Sequence, residues 1–374
     1  MDAYFADLKV ELPRLFPPWM PFVNEKPFSR RVRLELADRE IEAEGPVLWQ
    51  GHNMVCHALR DGWRIASTIP ADQVCLRVEQ NYGLVTVWMP PNAKEMQESE
   101  MFMHLFRMVL ECAFPFQGVV SLHASCVALE DGAVAFTAPS GTGKSARAQS
   151  WASLFDARLI SGDRPAIRLA AGRAYACGVP WDGKESICFP GEEPLAAICE
   201  VRRAPFTRLR RLTAFQARRL LMRQCFIPIW DTEAAGAALN VIERLTGCVP
   251  IYRFFGDPGR ESARIAYAGL FSRETRADRE DTRFDMKIKE GFVLRNVVDE
   301  HIVMPVGKNI ETFEGALVLS DVSAFIWEQL ARPICREDLL ELVLGEFNVE
   351  RDVASSDLDT FLDKLRAHNV LEEE

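Results

Sequence analysis

The chain has 374 residues, 48% hydrophobic and 26% charged, a globular composition with enough apolar material for two or three domains. Its formal net charge of -10 is unevenly placed: residues 284–374 carry 9 Lys and Arg against 20 Asp and Glu, and the preceding part is nearly neutral. An acidic piece on a neutral body argues against nucleic acid and anionic membrane as partners, and suits a peptide or protein of basic character.

The ten cysteines include no C-x-x-C pair and read as buried reduced thiols rather than a zinc site or a disulfide framework. Met1–Leu15 mixes acids and bases without the apolar stretch of a signal peptide. The most apolar long run, Met101–Val120, contains His104, Arg107 and Glu111, so it reads as a packed amphipathic helix, not a membrane span. The expected location is cytoplasmic.

In chain order, residues 1–120 form an accessory β-rich region. Short apolar runs at Val32–Leu36, Val47–Trp49, Val74–Val78 and Gly83–Met89 predict strands, and a helix is expected over Glu98–Cys112. Residues 121–270 hold the chemistry. Residues 271–284 interleave Arg with Asp and Glu around almost no apolar anchor and read as a linker. Residues 285–374 form a separate module of three short strands followed by three helices.

The apolar strand Ala133–Thr137 runs into Ala138-Pro139-Ser140-Gly141-Thr142-Gly143-Lys144-Ser145 and then a helical run, Ala146–Leu154. Strand, small-residue loop and helix in this order predict a P-loop on an α/β framework. Small residues let successive backbone N–H groups converge on phosphate oxygens, and the helix adds its partial positive charge. Ser140, Gly141, Thr142, Gly143, Lys144 and Ser145 are the expected nucleotide-binding residues. Lys144 would reach the terminal phosphates of ATP or another triphosphate, and the Ser145 hydroxyl would hold Mg²⁺. Ala138 stands where Gly is commoner, which is tolerable if its φ is negative. Downstream, Arg158–Ser161 reads as a strand ending in Gly162-Asp163, and Asp163 is the expected metal-side or basic carboxylate.

Leu122-His123-Ala124-Ser125, the APSGTGKS loop and ISGDRPAIRL together resemble the HPr kinase/phosphorylase catalytic domain, and more closely its relatives in peptide natural-product clusters, including lasso-peptide kinases. The resemblance covers about residues 120–255. It implies that His123 lies near the transferred phosphoryl group and that Asp163 is general base or metal ligand; Lys144, read from the P-loop itself, is the third expected catalytic group. The family usually shows two adjacent Asp residues at the second motif, and here Gly162 occupies the first position. A further loop, Gly178–Glu185, offers Trp181, Lys184 and Glu185 to a substrate or metal, or is a plain hairpin turn. The arginines of Arg202–Arg223 read as an ordinary solvated face.

In the last module, Phe292–Arg295, His301–Pro305 and Ala316–Leu319 predict strands. Ser320 or Asp321 caps a helix, and Asp338–Phe347 and Asp357–His368 predict two more, the last with Ser356 as cap. This layout resembles PqqD-like peptide-recognition domains of winged-helix shape. The resemblance implies a leader peptide added as a strand beside Ala316, Leu317, Val318 and Leu319, resting on Leu358, Phe361 and Leu365. The joint expectation is an ATP- and Mg²⁺-dependent kinase acting on a Ser or Thr of a precursor peptide captured by the module, with other enzymes of the same cluster as further partners. A nucleotide-gated peptide carrier stays open as the alternative, with Gly162 in its favour.

Overall fold

The computed structural model describes the chain except residues 15, 52, 92–95, 140, 182–188, 205–206, 272–285, 298–299, 308–315, 332–333, 348 and 374. The described chain divides into two units, Met1–Thr275 and Arg276–Glu374.

Strands recur through the first ninety residues, several of them alternating buried with more exposed side chains. They are β1 (Asp2–Phe5), β2 (Leu8–Glu11), β3 (Arg30–Leu36), β4 (Val47–Gln50), β5 (Met54–Leu59), β6 (Gly62–Ser67), β7 (Cys75–Glu79) and β8 (Leu84–Trp88). They pair in the order β1-β2-β3-β8-β7-β6-β5-β4. Helix α1 (Glu100–Ala113) starts at Ser99, whose hydroxyl accepts from the Phe102 amide at 3.0 Å. Its apolar stripe of Phe102, Leu105, Phe106 and Val109 is wholly buried. The apolar run expected as one helix is broken. Pro115 lies in a 3₁₀ turn, Phe114–Gln117, Gly118 takes φ 74°, and the chain enters β9 (Val119–Ser121).

Next come β10 (Ala124–Leu129), β11 (Gly132–Thr137), α2 (Lys144–Leu154), β12 (Arg158–Ser161), β13 (Ala166–Ala170) and β14 (Arg173–Cys177). They are followed by β15 (Glu192–Arg202), β16 (Arg208–Arg211), α3 (Ala214–Gln224), α4 (Thr232–Cys248), β17 (Ile251–Phe255) and α5 (Arg260–Phe271). The sheet runs β12-β10-β11-β15-β14-β13-β9, and β17 pairs with both β15 and β16. The pairing is mixed: β10 is antiparallel to β11 and to β12, whereas β11–β15 and β15–β17 are parallel. The carboxyl ends of β11, β12, β15 and β17, and the start of β10, therefore share one edge of the sheet.

One apolar cluster joins the two parts of this unit. Phe5, Trp19, Phe22, Phe102, Phe106 and Phe114 pack together with Ala166, Cys177, Val179, Trp181 and Ala234 from the later sheet and helices. Each large side chain so buried contributes on the order of 2–3 kcal/mol. Trp181 stands edge-on to Phe5, with ring centroids 5.5 Å apart. It is a core residue, not the substrate-facing one its loop suggested, and Lys184 and Glu185 lie outside the described residues. Of the expected linker, only Phe271 is described, and it ends α5. No described cysteine is bridged, and all but Cys248 are buried. Among the described residues no helix is long and apolar enough to cross a membrane.

The second unit contains β18 (Met286–Ile288), β19 (Phe292–Val297), β20 (Glu300–Pro305), β21 (Leu317–Leu319), α6 (Asp321–Gln329), α7 (Arg336–Glu346), α8 (Arg351–Ala367) and β22 (Leu371–Glu373). β19-β20-β21 form one small sheet and β18-β22 another. Ser320 caps α6. Helix α8 begins at Arg351, several residues before the expected start, and Ser356 lies inside it rather than capping it.

Candidate functional site

The site grows from the shared sheet edge. β11 ends at Thr137, whose hydroxyl donates to the His123 carbonyl at 2.8 Å and so ties the end of β11 to the start of β10. The loop turns through Gly141 (φ 78°) and Gly143 (φ 96°), conformations that a side chain disfavours, while Ala138 is not among the positive-φ residues and is fully buried. The condition for an alanine at the first loop position is met. Helix α2 starts at Lys144. Gly143 at its N-cap has no side chain to accept from the first-turn amides, and no acid lies in that turn. Trp151 holds the helix down, edge-on to Phe136 with centroids 5.0 Å apart.

Lys144 is 8% exposed, and its ammonium donates to the Ala138 and Pro139 carbonyls at 3.0 and 3.4 Å. Among the described residues no carboxylate forms an ion pair with it. Burial lowers its pKa, against the pull of nearby Asp163. The Ser145 hydroxyl lies 3.2 Å from that of Ser125 and 3.4 Å from the Gly162 carbonyl, which also accepts from Ser125 at 2.7 Å.

Asp163 follows β12 and His123 precedes β10, and the sheet brings them together, with His123 Nε2 3.7 Å from Asp163 Oδ1. The His123 amide donates to the Gln224 carbonyl at 2.8 Å. Burial, then the charge of Lys144, pushes the His123 pKa below its ordinary value, outweighing Asp163. A neutral imidazole therefore sits beside a carboxylate and a buried ammonium. Arg164, held at φ 53°, adds positive charge that acts on both His123 and Lys144.

The structure thus gathers Lys144, Ser145, His123 and Asp163, and puts Gly141, Thr142 and Gly143 in the loop between them. Ser140 lies outside the described residues. Sequence reasoning did not single out Ser125, although it stands two residues after His123. It also took Arg203 for part of a solvated face, whereas its Nε donates to the Thr142 carbonyl at 3.4 Å. Of the other arginines in that run, Arg202 pairs with the buried Glu200 and Arg218 with the exposed Glu243.

The oxygens on offer suit a hard cation shared with phosphates. Ser145 contributes a hydroxyl and Asp163 a carboxylate, and among the described residues no group of three His, Cys, Asp or Glu could hold a metal by itself.

In the second unit β21 forms its only ladder among the described residues with β20, which leaves it at the sheet edge. Ala316 and Val318 are exposed, Val318 by 62%, while Leu317 is half-buried and Leu319 buried. Leu358 and Leu365 have no exposed surface and Phe361 has 8%. They belong to the core of the module, because their helical spacing sets them on the inward face of α8 with Ala354 and Leu362.

Comparison with curated proteins found no match. Among solved structures, a chain described as TbiB1 in complex with the TbiA(beta) leader peptide is 26% identical over 23% of this chain and 94% of its own, with a TM-score of 0.20. The HPr(Ser) kinase/phosphatase from Coxiella burnetii is 10% identical over 39% of this chain and 85% of its own, with a TM-score of 0.23. Residues 300–371 match the family of Coenzyme PQQ synthesis protein D (PqqD). The carboxy-terminal part of the chain therefore carries a PqqD domain.

Proposed function

We propose that the chain is a nucleotide-dependent phosphotransferase that acts on a Ser or Thr hydroxyl of a precursor peptide held by its PqqD domain. The observation that carries this reading is the buried Lys144 ammonium, with no ion-paired carboxylate among the described residues, in a glycine loop beside His123 and Asp163. A buried cation without an ion-paired partner is costly unless an anion is its working partner. Triphosphate oxygens would replace the Ala138 and Pro139 carbonyls around Lys144, and the free amides of the first turn of α2 would add donors.

Mg²⁺, bound by the phosphates with Ser145 and Asp163, would supply charge neutralisation. Asp163 would take the proton of the attacking hydroxyl as its oxygen bonds to the terminal phosphorus and the bond to the nucleoside diphosphate breaks. His123, neutral at physiological pH, would orient Asp163 and the incoming hydroxyl.

The PqqD domain supports peptide capture, and TbiB1 was itself solved with a leader peptide bound. The β21 edge offers a guest strand free backbone groups. Acidic surroundings favour a leader bearing Lys or Arg.

Gly162, which offers only a carbonyl where a second acid is expected, favours a second reading, a nucleotide-gated carrier without transfer. Incubation with Mg-ATP and a candidate precursor peptide decides between them. A gain of about 80 Da on the peptide, one phosphoryl group, supports the kinase. Tight binding with no gain overturns it in favour of the carrier.

A further inference from the structure

The reactive groups occupy only one side of β11. His123 and Asp163 belong to β10 and β12, its neighbours in one direction. On the other side β15 ends at Arg202 and β17 at Phe255, and the residues that follow come to the same edge. Between them lies a cavity of about 560 Å³, lined by Thr142, Gly143, Arg147, Arg203 and Asp257 among others. Its volume falls within the roughly 300–1,000 Å³ of small-molecule sites.

The cavity is built rather than incidental. Arg147, one turn into α2 and 2% exposed, stacks over Phe254 at 4.1 Å and donates to the Gly256 carbonyl at 2.8 Å. That bond fixes the backbone just before Asp257, while the buried Nε of Arg147 has no partner among the described residues. The Asp257 carboxylate accepts the Gly259 amide at 2.8 Å, which holds it at the rim. Arg203 closes the opposite side through its bond to Thr142.

We propose that this cavity takes the nucleoside of the triphosphate, with the Arg203 guanidinium covering the base and the Asp257 carboxylate accepting from the nucleoside's hydroxyl and N–H donors. The assignment rests on the phosphate site proposed above. A polyphosphate with its reacting end between His123 and Asp163 crosses the loop at Gly141–Gly143 and leaves on the β15 side, where this cavity shares Thr142 and Gly143 with it. A planar cation suits any base face, and a carboxylate, being acceptor-only, suits the donors of the sugar and base. Arg147 is a positioning residue for the Asp257 loop.

The test is calorimetry on the full chain with two probes, Mg-ATP and Mg-tripolyphosphate, the second lacking a nucleoside. Arg203→Ala and Asp257→Ala should each weaken Mg-ATP by about tenfold and leave Mg-tripolyphosphate as in the wild type, which also certifies folding. Wild-type affinity of both variants for Mg-ATP overturns the proposal, as does an equal loss of both probes, which would make these residues phosphate contacts. If the wild type binds neither probe, the phosphate site fails and the cavity assignment with it.

Discussion

At Lys144 the local chemistry is a buried charge with no ion-paired carboxylate among the described residues. Its two carbonyl partners occupy two of the ammonium's three donors and leave its charge without an ion pair. Lys144→Ala should therefore cost about 10- to 100-fold in Mg-ATP affinity by calorimetry, the worth of a charge-assisted contact. Asp163→Asn separates binding from transfer: it should keep Mg-ATP within a few-fold and slow peptide phosphorylation by about 10²–10⁴ in a mass-spectrometric time course. Equal losses in binding and rate would make Asp163 a ligand only.

A second residue-scale consequence concerns acid. Burial, then the charges of Arg107 and Arg164, lower the pKa of His104 from 6.5 to about 4. The folded chain binds that proton more weakly than the unfolded chain, so stability is full above pH 6.5 and declines as pH falls toward 4. After discounting for partial exposure the loss is about 2 kcal/mol. In urea titrations between pH 7 and 4.5, His104→Asn should lose less stability than the wild type. Parallel declines would rule this histidine out as the cause.

Elements differ in how openly the sequence declares them. The strand–loop–helix around Lys144 was legible because its glycines fall at Gly141 and Gly143, where φ is positive, and its alanine falls where φ is not. Ala138→Gly should therefore leave nucleotide affinity unchanged, whereas Gly143→Ala should weaken it through strain of about 1–2 kcal/mol. The hairpin β1–β2 escaped notice for the opposite reason. Its two-residue turn is Ala6-Asp7, at φ 47° and 66°, conformations usually announced by Asn or Gly. Helix α8 was misjudged at its start because Ser356, a good cap by type, lies on an exposed helical face. Arg203 and Asp257 were missed because only sheet order brings two strand ends, far apart in sequence, beside the same loop.

For β21, the exposed Val318 is the natural place to disturb a guest strand without touching the core. Val318→Glu should weaken leader binding at least about tenfold in fluorescence anisotropy and leave Mg-ATP affinity alone.

For the molecule as a whole, the proposed function has one unit anchor the peptide and the other react with it. Tethering at about millimolar effective concentration would let a weakly selective acceptor site suffice. Free leader peptide in excess should then slow phosphorylation of the full precursor, while leaving any ATP hydrolysis unchanged. Insensitivity to free leader would mean that the phosphotransferase unit finds its acceptor by itself.

The apolar cluster running from Phe5 and Trp19 to Ala166, Trp181 and Ala234 bears on how such proteins can be rebuilt. A graft that lifts out residues 121–275 as an interchangeable engine would strip one wall from its own foundation and leave Trp181 wet. Chimaeras that trade specificity by exchanging the carboxy-terminal unit after Thr275 leave that wall standing. The natural seam for recombination thus lies behind the engine, not in front of it.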